Sequence, residues 1–476
     1  MKGLKIPSYK TGKVSLFDFS KGMSGEVDGK LARTSIADVS FNYSLSTGAL
    51  KDGVGVKEFE FFVGGEKVRL EFLPEIKPIK CYFYKRFDEN TLKSDDRLLV
   101  YASDKNFYEC KLTENSGKFY LIEGLNFERV PQAVCYKLNG DDVIILSINS
   151  NFKIYDGNIV TVVEGVPDIT SMCIHNERLF VTTGGEQTEL WFSDDFNPSD
   201  WYVSLDQAGF IDFQDGRGRL LKVLSFNNYL YVFRNYGISR ISAYGDQTGF
   251  SATNLFLSSG RIYPGAIVDC GNRVIYLSED GFYSFDGYSS QRLLSDYDKF
   301  LFGVDNSDAV GKFYNGSLYI SLKMKINGRI EKVMLVYTPS KGSAYVTKGM
   351  KVTDIEVLYA NDFSKLVLLV EGSGKIGEIS EKSTVFNRVL RKTWKSHYSD
   401  FGIDKRKSLA KITLYTKHDI ELTVESENSK KTVKIAGSKN KQTVRLGVVG
   451  CSFSFSVNSQ NIGDEVSKIA LYFNYF

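Results

Sequence analysis

Asp95-Asp96-Arg97-Leu98-Leu99-Val100-Tyr101 decides the fold, because it is one copy of a unit that recurs. In most copies a turn pair containing Asn, Asp or Gly leads into an apolar, aromatic-rich run of strand length. A Gly- or Asn-bearing turn and a second strand follow. The unit restarts at Asp141-Asp142-Val143-Ile144, Asn176-Glu177-Arg178-Leu179, Asn227-Asn228-Tyr229-Leu230, Gly271-Asn272-Arg273-Val274, Asn315-Gly316-Ser317-Leu318 and Ser364-Lys365-Leu366-Val367. Successive starts lie 35 to 51 residues apart, near the period of propeller blades. A lone hairpin is marginally stable, whereas small sheets set radially bury each other's faces. The reading is an all-β chain with a β-propeller-like repeat body of about seven blades over 76–400.

Composition supports this. Of 476 residues, 34 are Phe and 28 Tyr, types that fit pleated, half-buried surfaces. Gly (42) far outnumbers Pro (8), as expected for many tight turns. Net charge is +3 and the charges are interspersed, so there is no global pull toward nucleic acid or an anionic membrane. The six cysteines form no CxxC pair, and several sit among apolar neighbours. Buried reduced thiols are expected, which fits synthesis in a reducing cytoplasm. The opening Met1-Lys2-Gly3-Leu4 lacks a signal-peptide core, and no apolar run reaches membrane-span length.

The two ends depart from the repeat. Residues 1–75 read as an N-terminal arm, or as strands that close the ring from the other terminus. A strand is expected at Lys13–Phe19 and a short helix around Ser35–Asn42. Over 401–476, runs such as Ile420-Glu421-Leu422-Thr423-Val424 and Ser452-Phe453-Ser454-Phe455-Ser456-Val457 alternate with period two. They read as a separate C-terminal antiparallel β-sandwich. The basic stretch Arg388–Tyr398 reads as a strand joining the two bodies, or as a contact for phosphates or a partner chain.

The search for chemistry returns little. His175, His397 and His418 fall in different units, and no metal-ligand spacing occurs, so no metal or cofactor is expected. Gly372-Ser373-Gly374-Lys375-Ile376-Gly377 matches a nucleotide-binding pattern, but a strand rather than a helix follows, so it reads as a blade turn. The strongest catalytic candidates are Asp194, Asp195 and Asp200, between Trp191 and Trp201. Two carboxylates at suitable separation hydrolyse glycosides, and aromatic rings stack on sugars. Asp-Asp-Phe-Asn-Pro-Ser-Asp is equally plain turn chemistry, and the expectation is no catalytic residue.

A resemblance lies between about 177 and 288. Glu177-Arg178-Leu179-Phe180-Val181, Leu190-Trp191-Phe192-Ser193, Asn197-Pro198-Ser199-Asp200-Trp201 and Ala208-Gly209-Phe210-Ile211-Asp212 come first. Leu220–Leu224, Asn228–Arg234, Gly237–Ile241 and Val274–Ser284 follow. This order is similar to that in propeller-type tail-stabilisation, or nozzle, proteins of short-tailed bacteriophages. Phe19-Ser20-Lys21-Gly22-Met23 and Gly48-Ala49-Leu50-Lys51-Asp52-Gly53 also resemble the opening of such proteins. The resemblance implies a non-enzymatic virion tail protein, a homo-oligomeric ring below the portal and adaptor. Such a ring retains genomic DNA and conducts it at ejection, without sequence-specific binding. The alternatives are a propeller glycoside hydrolase or carbohydrate-binding protein, and a monomeric scaffold.

Overall fold

A computed structural model describes residues 10–16, 19, 22–25, 36–45, 47–88, 92–185, 187–204, 207–402 and 404–475. The chain is all-β, and its repeat body is seven successive small sheets. Blade one is Pro78–Tyr84, Arg97–Ala102, Asn106–Lys111 and Tyr120–Asn126. The first strands of blades two to seven are Gln132–Leu138, Ile169–His175, Leu220–Phe226, Val268–Asp269, Val310–Tyr314 and Val352–Tyr359.

Every repeat start read from the sequence opens the second strand of a blade. These strands are Arg97–Ala102, Asp141–Ile148, Arg178–Thr183, Tyr229–Arg234, Val274–Ser278, Ser317–Ile326 and Ser364–Val370. The cause is local. Asn139-Gly140, Asn227-Asn228 and Asn315-Gly316 all have positive φ at both residues, which a two-residue hairpin of the matching twist requires. The Gly372–Gly377 pattern is likewise a hairpin, between Ser364–Val370 and Ile376–Ser380.

The second strands have apolar centres because both faces are buried there. Leu98 and Val100 pack with Val367 and Leu369 of blade seven, while Leu99 and Tyr101 pack with Ile144 and Leu146 of blade two. The same alternation carries the core round the ring. Burying a side chain of this size contributes about 1.5–3 kcal/mol. The inter-blade layers are therefore the main support of the body.

The N-terminal region supplies the closure. Gly55–Glu58 pairs antiparallel with Ile376–Ser380 and becomes the fourth strand of blade seven. A Cβ on Gly55 would stand 2.2 Å from the carbonyl oxygens of Lys382 and Thr384, so only glycine fits there. The helix expected around Ser35–Asn42 is instead the strand Ala37–Phe41, and Ser35 lies outside the described residues. Its stability is tertiary: it sits between blade six, through Phe41 and Val346, and Lys392–Ser396. The expected first strand is Lys10–Leu16, paired with Glu465–Tyr475. Phe17 and Asp18 are not described, nor are Ser20 and Lys21 of the resemblance.

The sandwich is not a separate body. One of its sheets continues blade six outward through Ala37–Phe41, Lys392–Ser396, Phe453–Ser459, Ile420–Ser426 and Lys430–Ile435, nine strands in all. The other is built on Glu465–Tyr475, Lys407–Thr416 and Gln442–Gly450 and takes in Leu50–Asp52. The basic stretch is thus the joining strand, with Trp394 fully buried against Phe19, ring centroids 5.1 Å apart. The cysteines are free; Cys81, Cys110 and Cys270 are buried, while Cys135 and Cys451 are exposed, against the expectation of general burial.

Candidate functional site: the axial cavity

The first strands of the blades converge on the ring axis and enclose a cavity of about 480 Å³ at the end where those strands begin. Its polar character follows from register. The third residue of the first strand is Lys80 in blade one, Ser171 in three, Lys222 in four, Lys312 in six and Asp354 in seven. All five line the cavity, joined by Glu356 and, at its exposed edge, Arg219. One position in one register thus places charge on the axis.

Two of the cations are matched. Lys80 Nζ donates to Asp354 Oδ1 at 3.2 Å, and Cys81 N donates to Asp354 Oδ2 at 2.8 Å, which clamps blade seven to blade one. Lys312 Nζ donates to both oxygens of Glu356, at 2.8 and 3.0 Å, and ties six to seven. Burial alone would lower the Lys80 ammonium, but Asp354 and Glu356 outweigh it and hold it above the ordinary lysine value.

Lys222 is different. Its Nζ donates to the carbonyl oxygens of Ile267, at 2.8 Å, and Pro264, at 3.4 Å, with no carboxylate. Burial pushes its pKa down to about 8, and the charges of Lys312 and Lys80 push the same way. The ammonium stays largely protonated at neutral pH without a countercharge.

The sequence-selected carboxylates are elsewhere and are held structurally. Arg178, 6% exposed, binds Asp195 at 2.5 Å and donates to the carbonyls of Ser193 and Gln207, both at 2.9 Å. Asp194 lies 3.9 Å from the same guanidinium. Arg97 in blade one opens its second strand as Arg178 does, and it too is nearly buried, against Asp95 and Glu109. Asp200 Oδ1 accepts from the Tyr202 amide at 3.0 Å, a turn bond. Trp201 is core, its indole N–H donating to the Pro198 carbonyl at 3.1 Å. Trp191 stacks on Phe210 at 5.1 Å, and with Asp200 and the exposed Tyr202 it lines a surface groove of about 520 Å³.

Sequence reasoning missed the cavity lysines because they are scattered over more than 230 residues. The signal was there to be counted: a charged third residue in the strand before four of the seven repeat starts, at Lys80, Lys222, Lys312 and Asp354.

Among the described residues, no group of three or more His, Cys, Asp or Glu side chains is placed to hold a metal ion, and no helix is long and apolar enough to cross a membrane. No family model and no curated protein matches the chain. Solved structures similar to it include BBS1N in complex with ARL6DN, at 13% identity and TM-score 0.43, covering 69% of this chain and 96% of that one. Virginiamycin B lyase from Staphylococcus aureus is similar at 10% identity and TM-score 0.40, covering 68% and 99%. A fungal alcohol oxidase in complex with copper is similar at 11% identity and TM-score 0.41, covering 88% and 99%. At these levels none of them lends this chain a function.

Proposed function

We propose that this chain is a structural subunit of a short-tailed bacteriophage tail, assembling side by side into a nozzle ring below the portal and adaptor. The supporting observation is the outer surface of blades three to five, the same stretch that carries the resemblance. Tyr202, Phe210, Tyr244, Leu257 and Tyr288 are exposed there, Tyr244 by 85% and Tyr202 by 73%. Exposed apolar side chains on successive blades suit a protein interface. The outer strand of blade four, Ser251–Leu257, adds an open edge without a charged residue, where natural edges usually carry one. By contrast the edge strand Lys430–Ile435, at the outer end of the nine-stranded sheet, carries three lysines.

In this reading DNA passes between subunits, not through one. The axial cavity has small-molecule dimensions, while the major groove of a duplex alone is about 12 Å wide. The ring retains and conducts the genome without base recognition.

Light scattering at several concentrations, then negative-stain imaging with and without portal complexes, tests the reading. Rings several-fold heavier than 53.6 kDa are expected, and Tyr244→Ser with Leu257→Lys should weaken them. A monomer under both conditions would remove the proposal. A second reading, carbohydrate binding, rests on the Trp191–Asp200–Tyr202 groove. A glycan panel with Asp200→Asn, Tyr202→Ala and the paired controls Asp194→Asn and Asp195→Asn tests it. Binding that survives the first two substitutions would end it.

A further inference from the structure

The geometry points to the axial cavity as a binding site for a small oxyanion of the phosphate class, with Lys222 as its charge partner and Arg219 at its mouth. Four cationic side chains line the cavity, Lys80, Lys222, Lys312 and Arg219, against two carboxylates, Asp354 and Glu356. Both carboxylates are engaged, Asp354 by Lys80 and Glu356 by Lys312. Lys222 and, at the open edge, Arg219 remain, and Asp168 at that edge offsets at most one of them.

The carbonyls of Ile267 and Pro264 hold the Lys222 ammonium but cannot neutralise it. An ammonium has three donors, and two are used, so one is left for a ligand. Neutral donors stand around it. Gln132 and Gln187 line the cavity, and Ser171 Oγ accepts from Val223 N at 3.3 Å, which leaves its proton for another acceptor. Arg219 adds a planar fork suited to two oxygens of one anion. A tetrahedral oxyanion meets donors on several sides, as this ring of strands provides them. One carboxylate opposes it: Asp168, beside Gly184 and Thr170 at the cavity edge, with one buried oxygen lacking a hydrogen-bond partner. The site is independent of any ring, because a single chain contributes all of it.

The test is calorimetric titration of inorganic phosphate into the full-length chain at pH 7, in a buffer free of oxyanions. One site per chain with a Kd below about 1 mM is expected. Sulfate should compete, and affinity should fall as pH rises past about 8 and Lys222 loses its proton. Lys222→Met should weaken binding at least tenfold without lowering Tm. Arg219→Gln, at an exposed position that folding does not depend on, should weaken it severalfold. Asp168→Asn should tighten it. No heat of binding up to about 10 mM phosphate overturns the proposal, and so does an affinity unchanged by both Lys222→Met and Arg219→Gln.

Discussion

Two lysines, one fully buried and one half-buried on a cavity wall, meet opposite surroundings. Lys392, where propeller and sandwich share a sheet, is fully buried. Its Nζ contacts Asp52 at 2.6 Å and Asp464 at 3.0 Å. Asp52 also accepts from the backbone of Gly463 at 2.7 Å and Asp464 at 3.2 Å. Burial and the charges of Asp464 and Asp52 drive the nearby Tyr43 hydroxyl well above its ordinary value. Lys222, on the propeller axis, meets only carbonyls. The first arrangement is closed, its ammonium matched by two carboxylates with His418 Nδ1 a further 3.3 Å from Asp464 Oδ1, and it pins the N-terminal strand, the joining strand and the sandwich together. The second is open, and its surplus charge faces a cavity. What separates the structural ion pair from the site is the countercharge, which Lys392 has and Lys222 lacks.

Removing each ammonium should have opposite consequences. Lys392→Met leaves two buried carboxylates without their ammonium, and a loss of about 3–5 kcal/mol in a denaturant melt is expected. Changing Asp52 and Asp464 to Asn in the same chain should recover much of it. A loss under about 1 kcal/mol in the single variant would mean that the junction is wetter than its geometry implies.

For Lys222 the expected signature is in pH. Its folded pKa, about 8, lies below the unfolded value near 10.4. Below pH 8 both states hold the proton, and the folded state bears the full cost of the buried charge. Between about 8 and 10.4 the unfolded state binds more protons, so stability rises with pH, by up to about 3 kcal/mol. The wild-type curve minus that of Lys222→Met should show this rise. A flat difference would show that the ammonium is solvated after all.

How much of this was legible in the sequence divides along the same line. The blade starts were readable because their cause lies within a few residues: Asn139-Gly140 and Asn315-Gly316 force the turn, and the runs after them are apolar because both faces are covered. Ala37–Phe41 was misread because nothing in its own residues makes it a strand; blade six and Lys392–Ser396 do. The sandwich looked separate because its alternation is local, while the shared sheet that fuses it to the propeller is not. The cavity was invisible to motif search for the same reason. Asp194 and Asp195 misled in the other direction, since adjacency in sequence suggested chemistry and the structure spends both on Arg178.

A carboxylate against a buried arginine on the rim provides the smallest expected effect. Arg234 is fully buried, with its guanidinium 2.7 Å from Asp215 and 5.2 Å from the Phe213 ring. Burial raises the Asp215 carboxyl, but the hydrogen bonds from Arg234, the Arg217 amide and Asn254 win and hold it well below the usual carboxylate range. Its folded pKa is therefore depressed, and its contribution is present above about pH 4, the unfolded value. That contribution is lost as pH falls from there toward the folded pKa. Asp215→Asn keeps a hydrogen-bonding group and removes the charge. A loss of about 1–2 kcal/mol at pH 7 is expected, discounted because Asp215 is 29% exposed. The gap between wild type and variant should narrow as the pH drops below 4. An equal gap at pH 7 and pH 3 would mean that Asp215 acts through hydrogen bonding alone. Its charge would then belong with neither the closed pair at Lys392 nor the open one at Lys222.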